Sequence, residues 1–171
     1  MSNGIKVNKR NGRGVEPLDL EKIHKMVEEA TKGLAGVSAS QVEIQSGIQF
    51  YDGITTEEIQ EILIRSASDL IDLDHPNYQF VAARLLLFAL RKSLYGKMRE
   101  LPHLEDHIYK CVNQEVYDAG LYDKYSKEEI DKANGYIDHT RDFLFTYAGL
   151  RQVVDKYLVQ DRSSGGVYET P

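Results

Sequence analysis

The chain has 171 residues, enough for one ordinary domain or for a small domain with part of another. Its 27 acidic residues outnumber its 21 basic ones and give a net charge of -6, whereas proteins that bind nucleic-acid backbones usually carry excess positive charge. No apolar run approaches the roughly 20 residues that a membrane helix needs, and the start MSNGIKVNKR lacks the apolar stretch of a secretory signal. The composition therefore predicts neither a nucleic-acid partner nor a membrane partner.

The single cysteine, Cys111, cannot form an internal disulfide or a thiolate zinc site. We expect it to be a buried apolar residue. A reducing cytoplasm is the expected compartment for such a chain.

The first fifteen residues form a basic segment without a single acid. Residues Ile5 to Arg10 alternate between apolar and polar, and Asn11-Gly12 then predicts a hairpin turn. We expect a short return strand from about Arg13 to Glu16. Charge alone favours a solvated edge strand, although such a patch is also able to bind a compact polyanion.

Four helices are predicted after this hairpin. Asp19 is expected to cap the first helix, and Ser38 or Ser40 starts the second. Thr55 to Glu58 is a capping box that begins the third helix, which buries Ile59, Ile62, Leu63 and Leu70. The fourth runs from about Tyr78 to Tyr95 and is apolar nearly all round, as expected for a central helix. The second helix places Ile44, Ile48 and Tyr51 on one face.

Beyond a boundary near Pro102 the amphipathic order is weaker. We predict a helix over 103–115, a helix capped by Ser126, a helix over 141–157 and a final hairpin at the turn SSGG. We expect this half of the chain to pack against a structure that is not part of the chain.

A search for catalytic motifs finds no phosphate-binding glycine loop, nucleophile elbow or zinc-protease signature. We therefore predict no catalytic residues and no metal site. His103 and His107 have the spacing of metal ligands, but a solvated helix face is the favoured interpretation, and His139 is interpreted as a cap or turn residue. Basic residues at several separate places in the sequence and the start of the third helix nevertheless allow a nucleotide site. Free N–H groups at a helix N-terminus favour anions.

The order of segments VNKRNG, LDLEKI, FYDGITTEEIQ and DHPNYQFVAARLLLFALRKSLYG closely resembles the ATP-cone of class I ribonucleotide reductase large (α) subunits. The resemblance continues through IDHTRDFLFTYAGLRQVVDKYLVQD and GGVYETP into the opening of the reductase main domain, and the phage and enterobacterial branches are nearest. It implies a mainly α fold, in which residues 1–96 form a four-helix bundle capped by a β-hairpin. Residues 97–171 are then a helical segment that ends in a short hairpin and leads into an absent α/β barrel.

The resemblance implies an allosteric activity site that binds ATP or dATP, with Mg held only through the nucleotide phosphates. The implied residues are Lys9, Arg10, Lys22, Lys92 and Thr56 on the phosphate side, Glu16 and Asp19 facing adenine, and Val7, Leu18, Ile23 and Phe50 in the apolar walls. Gln60 and Arg91 complete the predicted nucleotide-binding set.

Two departures from the family pattern matter. The hairpin is one residue longer around Arg13-Gly14, so Val15 is an alternative to Glu16. Gln60 stands where members inhibited by dATP often carry histidine, and Ala89 stands at another position that can be histidine. Glutamine donates and accepts hydrogen bonds but carries no positive charge. We therefore predict that the site binds nucleotide while inhibition by dATP is weak or lost.

The chain lacks the catalytic cysteines of the family, so the resemblance implies that it acts only with the remainder of the large subunit and with the radical-generating small subunit. We expect either a fragment or, with slight preference, one half of a large subunit encoded in two pieces, in the cytoplasm of the host if a phage encodes it. The alternatives are a stand-alone ATP-cone regulator and a nucleic-acid binder that uses the basic hairpin. Regulators of the first kind need zinc cysteines that are absent here, and the net acidity argues against the second.

Overall fold

A computed structural model of the chain describes residues 4–12 and 14–171. The predictions that involve Arg13 and residues 1–3 lie outside these ranges. The chain divides into two compact units. The first contains the residues up to Ala89 together with Phe145–Arg151, and the second contains Leu90–Leu144 and Gln152–Pro171. In the described ranges, no helix combines the length and the apolar character needed to cross a membrane.

A three-stranded sheet opens the first unit. Strand β1 (Lys6–Asn8) pairs antiparallel with β2 (Val15–Pro17) and parallel with β3 (Ile54–Thr55), giving the order β2-β1-β3. The hairpin is wider than the Asn-Gly signal predicts. Asn8 pairs with Val15, and a 3₁₀ turn at Arg10–Gly12 lies in the loop between them.

The return strand was predicted to stop before Pro17, but Pro17 is its last residue and pairs with Lys6. Proline is tolerated there because β2 is an edge strand, where one missing N–H leaves no partner unsatisfied.

Four helices of the first unit follow this sheet: α1 (Leu20–Thr31), α2 (Ala39–Gly47), α3 (Thr56–Asp69) and α4 (Tyr78–Tyr95), of which the unit contains the residues up to Ala89. Asp19 caps α1 by accepting the N–H groups of Glu21 and Lys22, and Ser38 is the cap of α2. These caps confirm the predicted helix starts.

The capping box of α3 is also confirmed. The Thr55 hydroxyl accepts the Glu58 N–H, while the Glu58 carboxylate accepts the Thr55 N–H. The Tyr51 hydroxyl and the Thr55 groups that bind this carboxylate lower the pKa of Glu58. The box therefore joins the end of β3 to the first turn of α3.

The burial of two helices differs from the periodicity prediction. In α2 the buried residues are Val42 and Ser46, whereas Ile44, Ile48 and Tyr51 are exposed. The helix ends at Gly47, so the last two of these do not share a helical face with Ile44. In α3, Ile62 and Leu70 are only half-buried, and Ile64 is buried instead.

The second unit contains α5 (Leu104–Asn113), the short α6 (Leu121–Lys124) and α7 (Lys127–Asn134), with a capping box at Ser126 as predicted. Strands β4 (Gln160–Asp161) and β5 (Gly166–Val167) form the predicted final hairpin. Cys111 is buried here, as expected, and burial raises the pKa of its thiol.

The helix predicted over 141–157 is wrong in its first part. A 3₁₀ turn spans Arg141–Leu144, and α8 begins only at Tyr147 (Tyr147–Lys156). The Thr146 hydroxyl accepts the Gly149 N–H, which is the bond of a helix cap. A threonine cap inside the periodic stretch therefore delays the helix start.

His107 is buried rather than solvated. Its ring packs edge-on against the rings of Tyr95 and Tyr117, and its Nε2 lies 3.4 Å from the Tyr117 hydroxyl. Burial lowers the pKa of this imidazole. The expectation of a solvated face thus fails for His107, while His103 is half-exposed and serves as the cap of α5.

Candidate nucleotide site

An apolar cavity of about 470 Å³ opens on the first unit. Its walls come from the chain before β1, from the β2–α1 connection, from α1 and α2, and from the segment after α2. The apolar residues that line it are Ile5, Leu18, Leu20, Ile23, Ile44 and Phe50. A planar aromatic base fits such a slot because it is itself largely apolar on both faces.

Three of the four predicted wall residues, Leu18, Ile23 and Phe50, line this cavity. Val7 instead lies in the middle of β1, where it is buried and pairs with Glu16 on one side and Ile54 on the other. The cavity also contains Ile44 and Glu43 of α2. Neither was predicted for the site, because Ile44 was assigned to an ordinary amphipathic face and Glu43 follows no recognisable motif.

A network of charged residues joins the hairpin loop, β2 and α1. Lys9 Nζ lies 2.7 Å from Oε2 of Glu16, and Lys22 Nζ lies 3.9 Å from Oε1 of the same carboxylate and 3.4 Å from Oδ2 of Asp19. The bond from Lys9 lowers the pKa of Glu16, and the backbone N–H of Lys22 lowers that of Asp19. Four of the predicted residues are thus brought together by direct contacts.

Arg10 reaches from the hairpin loop to the start of α3. Its guanidinium donates to the Glu57 carboxylate and, through Nη2, to the Gln60 amide oxygen at 2.9 Å. The Thr56 hydroxyl donates to the Asn8 carbonyl at 3.3 Å. The first turn of α3 is therefore fixed against β1 and its loop, although the sequence had shown no partner for Arg10.

The parallel pairing of β1 with β3 explains how these segments meet. Asn8 pairs with Thr55, so the residue that follows β1 lies beside the N-terminus of α3. Lys9 and Arg10 come directly after Asn8, next to a helix end whose free N–H groups and dipole favour anions. Cations, a helix start and an apolar slot are the features that a nucleotide needs.

The family model of the ATP cone domain matches residues 5–93, slightly more than half of the chain. The chain belongs to the ATP-cone family. The contacts of the candidate nucleotide site all lie within residues 5–93. Membership of the family gives this region a nucleotide-binding, regulatory role.

The similarity extends beyond the cone. The chain is 48% identical over 170 residues to the ribonucleoside-diphosphate reductase subunit alpha of Haemophilus influenzae, and 47% identical over 170 residues to the ribonucleoside-diphosphate reductase 1 subunit alpha of Escherichia coli K12. Each match covers 99% of this chain and 22% of the relative. The subunit alpha of enterobacteria phage T4 is 44% identical over 158 residues, 91% of this chain and 20% of the relative. The chain therefore spans about a fifth of the length of these relatives and corresponds to their N-terminal region.

Two predicted residues near the end of the cone lie in the second unit. Arg91 is buried, and its Nη2 donates to Oδ2 of Asp142 at 2.6 Å and to the His139 carbonyl at 3.2 Å. Its guanidinium also lies 5.5 Å from the Phe143 ring centre. These contacts account for Arg91 structurally, so we leave it out of the proposed site. Lys92 is half-buried in the last turn of α4.

Proposed function

We propose that this chain binds an adenine nucleotide, ATP or dATP, at the cone and thereby provides the allosteric activity site of a ribonucleoside-diphosphate reductase large subunit. The observation that carries the proposal is that the hairpin loop is linked to α1 through the Glu16 carboxylate and bonds directly to α3. Lys9 and Lys22 share the Glu16 carboxylate, and Arg10 bonds to Gln60 on α3.

Adenine would enter the cavity between α1 and α2, against Leu18, Ile23 and Phe50. Glu43 lines the cavity, and Glu16 and Asp19 remain the carboxylates proposed to face the adenine, because a carboxylate accepts the hydrogen bonds that an exocyclic amino group donates. Their lowered pKa values keep both ionised near neutral pH.

The phosphates would lie against Lys9, Arg10, Lys22 and the Thr56 end of α3. A triphosphate needs several cations, and charge-assisted hydrogen bonds are the stronger kind. In forming them, Lys9 would exchange Glu16 and Arg10 would exchange Glu57 for phosphate oxygens. Lys92 lies in the second unit, and its role as a phosphate ligand stays a prediction from the resemblance. Mg²⁺ would be bound through the phosphates, with no protein site of its own.

The regulatory effect would require the remainder of the large subunit and the radical-generating small subunit, in the cytoplasm. In this proposal residues 1–96 act as the nucleotide-binding cone and residues 97–171 begin the main domain. The similarity of residues beyond the cone to reductase subunits favours this assignment over a stand-alone cone.

Calorimetric titration of ATP into the chain tests the proposal. We expect saturable binding in the wild type and a clear loss of affinity in Lys9→Ala. Lys25→Ala is the matched control, because Lys25 is an exposed lysine of α1 that pairs with Glu21 one turn away. Absence of binding to the folded wild-type chain, or equal affinities in all three proteins, would refute the proposed site.

A further inference from the structure

His24 of α1 lies between two carboxylates. Its Nδ1 is 2.8 Å from Oε1 of Glu43, and its Nε2 is 3.3 Å from Oε1 of Glu28. A neutral imidazole has one N–H donor and presents a lone pair at its other nitrogen, whereas the imidazolium ion donates from both. The geometry thus satisfies both carboxylates only when the ring is protonated.

The charged groups that face the ring in the described ranges are these two glutamates, Glu28 from the same helix and Glu43 from α2. The hydrogen bond to Glu43, with the negative charge of Glu28, raises the pKa of His24 above its ordinary value. The pairing therefore favours the imidazolium form of a side chain that commonly acts as a pH switch.

Both ends of the His24–Glu43 pair adjoin the walls of the apolar cavity. Glu43 lines the cavity itself, as does its neighbour Ile44. His24 directly follows Ile23, which lines the cavity from α1. The pair is thus a bond between α1 and α2, two helices that both contribute residues to the proposed adenine slot.

We infer that His24 is a positioning residue for this slot, acting through Glu43, and that its protonation strengthens nucleotide binding. As imidazolium, His24 holds α2 against α1. As a neutral ring it can no longer donate to both carboxylates, and Glu43 is left at the cavity edge as an anion without its counter-charge. The loss of this positive charge leaves more negative charge at the edge of the slot, which disfavours a polyanionic ligand.

The effect on affinity is expected to be modest. The side chains of His24 and Glu43 are 48% and 28% exposed, so solvent and salt screen their interaction. The interaction energy of an exposed ion pair corresponds to a change of about two- to fivefold in a binding constant.

The test compares ATP dissociation constants at about pH 6 and about pH 8, on either side of the range in which histidine titrates. It uses the wild-type chain, His24→Gln and His75→Gln at constant ionic strength. His75 is the matched control, since it also pairs with a carboxylate, that of Asp72, but lines no part of the cavity. ATP itself titrates in this range, so the difference between proteins is the quantity of interest.

The inference rests on the proposed nucleotide site. It predicts that raising the pH weakens ATP binding about two- to fivefold more in the wild type and His75→Gln than in His24→Gln. Equal pH profiles in wild type and His24→Gln would overturn it while leaving the proposed function intact.

An NMR titration of the His24 ring without nucleotide gives an independent reading. The pKa of His24 should lie above its ordinary value in the wild type and fall back towards it in Glu43→Gln. An unshifted pKa in the wild type would refute the pairing. Failure of ATP to bind at either pH, with the ring titrating as expected, would refute the proposed function and the coupling with it.

Discussion

Arg10 and Gln60 are joined by a 2.9 Å hydrogen bond between Nη2 of the guanidinium and the amide oxygen of the glutamine. The bond links the hairpin loop to the second turn of α3. The two groups also retain unused donors, since Arg10 Nη1 and Gln60 Nε2 are buried and have no hydrogen-bond partner in the described part of the chain. Buried donors without partners are costly, and a phosphate oxygen would satisfy them.

Replacing Arg10 should therefore weaken nucleotide binding. We expect Arg10→Ala to reduce ATP affinity by about 1–3 kcal/mol, the usual loss for a charge-assisted hydrogen bond. Arg65→Ala is the control, because Arg65 is an exposed arginine on the same helix as Gln60. Calorimetry that shows the same affinity for Arg10→Ala as for the control would contradict the placement of the phosphates.

Gln60 predicts the response to dATP. Its amide cannot carry the positive charge of the histidine that, by the resemblance, members inhibited by dATP often have at this position. We expect ATP to activate the assembled reductase while dATP inhibits it weakly or not at all. The measurement is turnover of the assembled enzyme across a dATP titration, with ATP as the reference effector. Strong inhibition at micromolar dATP would show that Gln60 does not prevent it.

The capping box at Thr55 should contribute measurably to the stability of the first unit. Thr55→Ala removes the acceptor of the Glu58 N–H and should lower the free energy of unfolding by about 1 kcal/mol. Urea denaturation followed by circular dichroism measures the change. Ser126→Ala removes the equivalent cap of α7 in the second unit and provides the comparison. If Thr55→Ala unfolds at the wild-type urea concentration, the cap is not stabilising.

Arg91 should affect stability more than nucleotide affinity. Its ion pair with Asp142 is buried, and removing one partner of a buried pair leaves an uncompensated charge that costs about 3–5 kcal/mol. We expect Asp142→Ala and Arg91→Ala to lower the melting temperature of the chain strongly. An Arg91→Ala variant with wild-type stability and reduced ATP affinity would instead place Arg91 in the site.

His107 predicts a dependence of stability on pH. Burial lowers its pKa in the folded chain, so at acidic pH the unfolded chain binds more protons at this residue than the folded chain does. Stability from this residue is therefore present above the ordinary histidine pKa and is lost as the pH falls below it. The wild type should lose more stability between neutral and mildly acidic pH than His107→Gln does. Parallel melting curves for the two proteins across that range would contradict this account.

Much of the fold could be predicted because its signals are local. The bounds of α4 and the two capping boxes follow from residues within a few positions of each helix end, and the structure confirms them. Strand β3 could not be predicted, since Ile54–Thr55 is only two residues long and pairs with a strand nearly fifty positions earlier.

The residues of the candidate site could be predicted only in part. A resemblance supplied Lys9, Arg10 and Lys22, but no sequence pattern indicates that Lys9 and Lys22 share one carboxylate or that Arg10 reaches Gln60. The contact of Lys9 with Glu16 depends on the antiparallel pairing of β1 with β2, and that of Arg10 with Gln60 on the parallel pairing of β1 with β3. Glu43 was missed because its only signal is its contact with His24, a residue on another helix.

Amide NMR of the chain during an ATP titration tests the central claim most directly. The account predicts that the largest shifts cluster at the hairpin loop, at the start of α3 and around the cavity, including Lys9, Arg10, Ile23, Phe50 and Thr56. Shifts confined to the second unit, or no shifts at saturating ATP, would contradict it.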